Sequence, residues 1–271
     1  MIEALFNYQF MQNALLGATM ASIVCGLIGT IIVEKKLVML SGGIAHTSFG
    51  GIGLGYFLGV EPIYTAFIFI IFTSLAIARI NRKLKTGSDT LIGMFWALGM
   101  ALGILFIAFT PGYPPDISSY LFGDILTVRR FDVLLMIILT VAIVLAISSL
   151  FNYWKAYLFD EGFLKVLGFN SRLLENFLFV MIGLTIVILI RVVGIILVIA
   201  LLTAPPATAR LYTADLKKMM LLAIAFSLLF TLSGLTFSYY LDLPSGAVII
   251  IASAIFYAAS ILIKGKNTAI Q

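Results

Sequence analysis

The one histidine in this 271-residue chain, His46, sits inside an uncharged run from Met39 to Gly59. An ionisable side chain in so apolar a setting is costly unless it faces a cavity or pathway, and a neutral imidazole ligates zinc, iron and manganese. A histidine satisfied inside a packed core would look the same in sequence. Gly42, His46, Gly50 and Gly53 fall on one helical face at i, i+4, i+8 and i+11, so the imidazole is expected to stand with no bulk beside it. Other chemistries lack their residues. There is no H-E-x-x-H, no G-x-S-x-G and no aspartate pair within an apolar run, which argues against an intramembrane hydrolase. No G-x-x-x-x-G-K-[ST] loop cradles a phosphate. Cys25 has no partner for a disulfide or a cysteine metal cluster.

The elements that position His46 are expected to be transmembrane helices. Hydrophobic residues make up 62% of the chain and charged ones 11%, with a mean hydropathy of +1.15. A soluble chain could not cover its surface with so few polar groups. At about 20 apolar residues per crossing, nine spans read as 11–33, 37–59, 63–80, 91–110, 131–151, 177–190, 194–212, 217–241 and 246–263. Only Arg191-Val192-Val193 separates the sixth from the seventh; one broken or re-entrant element there would leave eight crossings. The fold expected is an all-α polytopic bundle, a single domain over 1–271 with an interior connection at 152–176. Residues 1–10 carry Glu3 and no Lys or Arg, so 11–33 reads as a retained span rather than a signal peptide. With the N-terminus outside and the C-terminus inside, fourteen of the seventeen Lys and Arg fall on one side, leaving Arg129, Arg130 and Arg191. By the positive-inside rule that side is cytoplasmic. The net charge of +5 is therefore topological, and nothing points to nucleic acid.

Three segments stand out within that frame. The second span holds seven glycines between 42 and 59, with Gly51, Gly55 and Gly59 at four-residue spacing. Small residues so placed let helices approach closely in lipid. In the interior connection, Asp160 can cap a short helix that Glu161 favours through its dipole, with Phe163, Leu164 and Leu167 as an apolar edge and Gly168 as the stop. Such a helix lies on lipid or docks in a partner's groove. In the seventh span, Pro205 and Pro206 free the carbonyls of Leu201 and Leu202 and are expected to kink the helix, with Thr203 and Thr208 able to supply local hydrogen bonds. A kinked span of this kind can serve as a gate.

Taken in order, these segments resemble the permease subunits of zinc, manganese and iron importers of the ATP-binding-cassette class, over roughly Ala14 to Ile263. Ala45-His46 and Gly50-Gly51 resemble the core of that family's "SHAxxPGxA" span, Asp160–Gly168 its coupling-helix segment, and Gly194–Arg210 its "VGxLLVxALLxxPAATAR" span. Tyr120–Asp124 and Leu243–Gly246 resemble its outer-loop motif and the turn before its last helix. The resemblance implies a type II ABC-importer-like permease in a prokaryotic cytoplasmic membrane. It implies a homodimer with the pathway at its interface, a cytoplasmic ATPase dimer and an extracytoplasmic metal-binding protein. The divalent metal would be cargo, with no permanently bound cofactor and no enzymatic activity in this chain. A permease for cobalamin or a ferric siderophore is the alternative. One departure matters: many members carry aspartate one turn before the histidine, where this chain has Gly42. His46 would then act with its counterpart in a second subunit, with Ser41 through water, or with a carboxylate such as Asp124.

Overall fold

Helices occupy the apolar runs and carry most of their charges near their ends. The computed structural model describes residues 8–83, 88–112, 123, 128–166, 168–241 and 243–268, and every regular element among them is a helix. In chain order they are α1 (Gln9–Glu34), α2 (Val38–Leu58), α3 (Pro62–Lys83), α4 (Ser88–Ala108), α5 (Arg130–Ser149), α6 (Phe151–Phe159), α7 (Glu161–Val166), α8 (Ser171–Tyr212), α9 (Leu216–Leu241) and α10 (Ser245–Thr268). Six of them, α1, α3, α5, α8, α9 and α10, are long and apolar enough to cross a membrane, and Ile92–Ala108 of α4 is a shorter apolar stretch. The glycine-rich α2 is not among the six, because its glycines, hydroxyls and His46 dilute its aliphatic residues.

The sixth and seventh apolar runs are two helical stretches joined at a single break. α8 has 42 residues, and within it Gly194 alone has non-helical dihedrals, φ 78 and ψ 162. A straight helix of that length would run roughly 63 Å, twice the thickness of a bilayer core. Only glycine enters that dihedral region without a Cβ penalty, so the chain turns at Gly194. The sharp departure therefore does not fall at Pro205-Pro206, where it was expected. Both prolines lie inside helical backbone.

The chain forms two compact units, each assembled from separated segments. One contains α1, α5, residues 189–212 of α8, α9 and α10. In it α9 packs against both α1 and α10, and α1 also meets α5. Glycines set the spacing. A Cβ on Gly26 would lie 2.5 Å from Cγ1 of Ile224 on α9, and one on Gly29 would lie 2.5 Å from the Leu202 carbonyl oxygen. The Leu202 carbonyl is one of the two that the prolines deprive of a donor, and it is accommodated against the bare backbone of α1. Ser22 and Thr231 hydroxyls meet at 3.3 Å between α1 and α9.

The other unit contains α2, α3, α4, α6, α7 and residues 171–188 of α8, with α2 packed on both α3 and α4. Along α3, Tyr64, Ile68 and Phe72 are well exposed at four-residue spacing, the pattern of an apolar stripe facing lipid.

Candidate functional site

The α2 helix carries two sets of close approaches. Toward α3, a Cβ on Gly55 would meet Pro62 Cα at 2.5 Å and one on Gly51 would meet Phe69 Cβ at 2.7 Å. Toward α4, Gly53 lies against the backbone of Gly103, and Gly99 against the backbone of Thr47. Gly50 reaches both neighbours, Phe69 Cζ at 3.0 Å and the Gly99 carbonyl at 3.1 Å from the same construction. Two glycines expected to pack helices meet no neighbour among the described residues. None of these lies within 4 Å of a Cβ built on Gly42 or on Gly59. Gly59 instead closes α2 at φ 66, where its own N–H and that of Val60 bond to the Tyr56 and Gly55 carbonyls.

This packing sets the surroundings of His46, and they differ from expectation. The imidazole does not stand on a bare face: the Trp96 indole of α4 stacks on it, ring centroids 3.9 Å apart and planes 9° from parallel. Thr47 ties the same level of α2 to α4, donating to the Gly43 carbonyl at 2.6 Å and to the Phe95 carbonyl at 3.1 Å. The ring is thus held in one plane, while its Nδ1 is buried and has no hydrogen-bond partner. A buried nitrogen left unpaired is costly, and in the tautomer protonated at Nε2 the Nδ1 lone pair is available to a cation. One turn away, the space beside Gly42 is open.

The other proposed partners of His46 fare differently. Ser41 is fully buried and donates its hydroxyl to the Val38 carbonyl at 2.8 Å. Five residues along a helix place it about 140° around the axis from His46, so α2 does not bring the two together. Asp124 lies outside the described residues. Among the described residues no three of His, Cys, Asp and Glu gather as a metal-ligand cluster.

The interior connection folds as α6 followed by the short α7. Asp160 caps α7 through its side chain, accepting from Phe163 N–H at 2.9 Å. At the other end Gly168 has φ 71, and Phe169 N–H bonds to the Leu164 carbonyl at 3.2 Å, a Schellman closure. The apolar edge divides differently from expectation: Leu164 is fully buried whereas Phe163 is exposed, and Val166, at 81% exposed, joins Phe163 on the outer side. Leu167 and the side chain of Glu161 lie outside the described residues. Val166 was missed because a single valine next to a lysine carries no periodic signal in so short a helix.

Near its break, α8 is tied by charge. Arg191 Nε lies 3.2 Å from Asp132 Oδ1 at the start of α5, with side chains only 15% and 7% exposed. Arg129 adds its Nε at 3.6 Å and its backbone N–H at 3.2 Å to the other carboxylate oxygen. Gly123, at φ 66, lies directly on the Val193–Gly194 peptide. Farther along, Thr203 donates to the Ile199 and Ala200 carbonyls and Thr208 to Ala204. Their hydroxyls thus bond within the helix without reaching the freed carbonyls of Leu201 and Leu202. Arg210 pairs with Glu34 of α1 at 3.1 Å.

Comparison with known proteins gives consistent matches along almost the whole chain. A family model described as the ABC 3 transport family matches residues 7–264. An uncharacterised membrane protein of Synechocystis is 42% identical over 264 residues, covering 97% of this chain and 94% of its own length. A manganese transport system membrane protein of Listeria innocua is 33% identical over 266 residues, covering 98% and 95%. Among solved structures, PsaBC from Streptococcus pneumoniae in complex with a Fab matches with a TM-score of 0.86 at 31% identity, over 96% of this chain and 94% of the matched one.

Proposed function

The chain belongs to the ABC 3 transport family, and from that membership we propose that it is the permease of an ATP-driven importer passing a divalent transition metal inward. The observation that carries the site is the buried, unpartnered Nδ1 of His46, held by Trp96 beside the open space at Gly42. Manganese leads zinc and iron as cargo, since the Listeria relative is named for manganese transport. The metal is substrate, so a site with few ligands suits it: a transit site has to release what it takes.

In this reading nine spans cross the membrane, Gly194 separating the sixth from the seventh, with the N-terminus outside and the C-terminus inside. Two copies face each other across the pathway, so that each His46 gains a second ligand set from its counterpart or from Asp124. The segment Asp160–Gly168 docks a cytoplasmic ATPase dimer, and a metal-binding protein delivers cargo from outside. Nucleotide-driven closure of the ATPases moves α7, and the exposure of His46 and of the helix bearing Pro205-Pro206 alternates between the two sides.

The test is uptake into vesicles by the complex with its ATPase, with Mn²⁺, Zn²⁺ and Fe²⁺ competing. Uptake of one of them and its near loss in His46→Ala, with assembly of the complex unchanged, is the expected result. Transport of none of the three overturns the function, and undiminished uptake by His46→Ala removes His46 from the pathway.

A further inference from the structure

A cavity of about 910 Å³ opens where the end of α3 meets α6 and the start of α8, lined by Arg79, Arg82, Arg172, Glu175, Ser171 and Tyr157. Its charges are not balanced. Arg82 is committed: it binds Glu175 at 3.1 Å, Asn176 at 2.7 Å and the Arg172 carbonyl at 3.2 Å. That contact neutralises Glu175 and joins α3 to α8. Neither Arg79 nor Arg172 has an ion pair through its side chain among the described residues, so the cavity keeps an excess of two positive charges. Asn170 caps α8 by accepting from the Arg172 N–H at 2.9 Å, and the positive end of a long helix points at the same place.

The apolar side of the cavity indicates what bears the negative charge. Ala76 and Ile80 form its wall on α3, and they continue, at four-residue steps, the exposed stripe of Ile68 and Phe72. Ile68 and Phe72 also line a second groove of about 320 Å³ between α2 and α3, walled by Leu54, Leu58 and Phe69. One helix thus leads from an apolar groove to a basic cavity, a distance of about 12 Å from Phe72 to Ile80 at 1.5 Å per residue. A free anion has no use for the groove, and an acidic protein surface has none for a stripe at lipid depth.

We propose that this cavity holds the phosphate headgroup of an anionic phospholipid, with Arg79 and Arg172 as its ligands and an acyl chain lying along Phe72 and Ile68. Basic pockets between helices on the cytoplasmic side are suited to such headgroups. The site rests on the proposed orientation, which places the α3–α8 junction at the inner leaflet, and not on the cargo or on His46. It is a lipid site of the permease itself, separate from the transport pathway.

The experiment is native mass spectrometry of the delipidated full-length chain titrated with phosphatidylglycerol, with phosphatidylcholine, or with inorganic phosphate. Phosphatidylglycerol is expected to be retained over phosphatidylcholine, and millimolar inorganic phosphate not to displace it. At roughly fivefold per basic residue at a membrane surface, R79Q/R172Q should retain phosphatidylglycerol about 30-fold less, whereas R79K/R172K stays near wild type. Both arginines are exposed and have no side-chain ion pair among the described residues, so the variants are expected to fold. Phosphatidylglycerol retention unchanged in R79Q/R172Q overturns the proposal, as does full displacement by inorganic phosphate. So does loss of ATPase association without lipid in that variant while phosphatidylglycerol retention persists, which would make the cavity a protein interface. None of these readouts depends on transport, so a failed uptake assay leaves the lipid site standing and a failed lipid assay leaves the importer standing.

Discussion

Cutting the Arg191–Asp132 pair is the sharpest test of how the broken helix α8 is held. At 3.2 Å two unit charges attract by about 5 kcal/mol with an effective dielectric near 20, and desolvation of both groups offsets much of that. Removing one partner leaves the other charge buried, which costs roughly 3–5 kcal/mol. The two single variants are not equivalent. In Arg191→Gln the carboxylate keeps Arg129, whose side chain is 65% exposed and compensates by no more than about 1 kcal/mol, so the loss falls near 3 kcal/mol. In Asp132→Asn the guanidinium of Arg191 loses its contact with the carboxylate, and the loss lies within the same range of roughly 3–5 kcal/mol. The double variant, with two neutral polar groups of similar size, should be more stable than either single one, so the coupling is at least as large as the bigger single loss, about 4–5 kcal/mol. Reversible unfolding of the full chain in mixed micelles, followed by helical circular dichroism, measures all four corners of the cycle. Single losses below about 0.5 kcal/mol, or losses that simply add, would refute the reasoning and make the pair a solvated contact of the kind that contributes little.

Two further perturbations separate positions that look alike in sequence. Gly53→Ala should destabilise by roughly 1–3 kcal/mol, because its methyl group would collide with the backbone of Gly103. Gly42→Ala, which meets none of the described residues within 4 Å, should be neutral or slightly favourable from helix propensity; equal unfolding curves for the two would mean α2 does not pack on α4 as described. On the docking helix, Phe163→Ser with Val166→Asp should leave folding intact and reduce co-purification of the ATPase at least tenfold. Leu164→Asp should instead unfold the region, and normal complex formation by the Phe163/Val166 variant would exclude that face as the docking edge.

What could be read from sequence was whatever a residue type declares by itself. Apolar run lengths marked the helices to within a few residues, since the bilayer demands them. Asp160 and Gly168 declared the ends of α7, because capping is local chemistry between neighbours in the chain. Contacts between helices declared themselves only as small-residue spacings: Gly51 and Gly55 do lie against α3, but which helix they meet is not written in the spacing. Proline is the visible helix breaker, so Pro205-Pro206 drew the expected kink; yet the dihedral break lies at Gly194, a residue that reads as ordinary among twenty-three glycines. The prolines are accommodated from outside their own helix, where Gly29 leaves room for the Leu202 carbonyl. The same reasoning applies to His46. It was conspicuous as the lone histidine, but its ring is oriented by Trp96, and Trp96 approaches only because Gly99 and Gly103 let α4 lie against Thr47 and Gly53 of α2. The pair Gly99–Gly103 was legible as a close-packing spacing and was overshadowed by the denser glycines of α2. A half-buried imidazole with an unpartnered Nδ1 is therefore a product of two helices, and its chemistry is decided as much by the missing side chains of α4 as by the histidine.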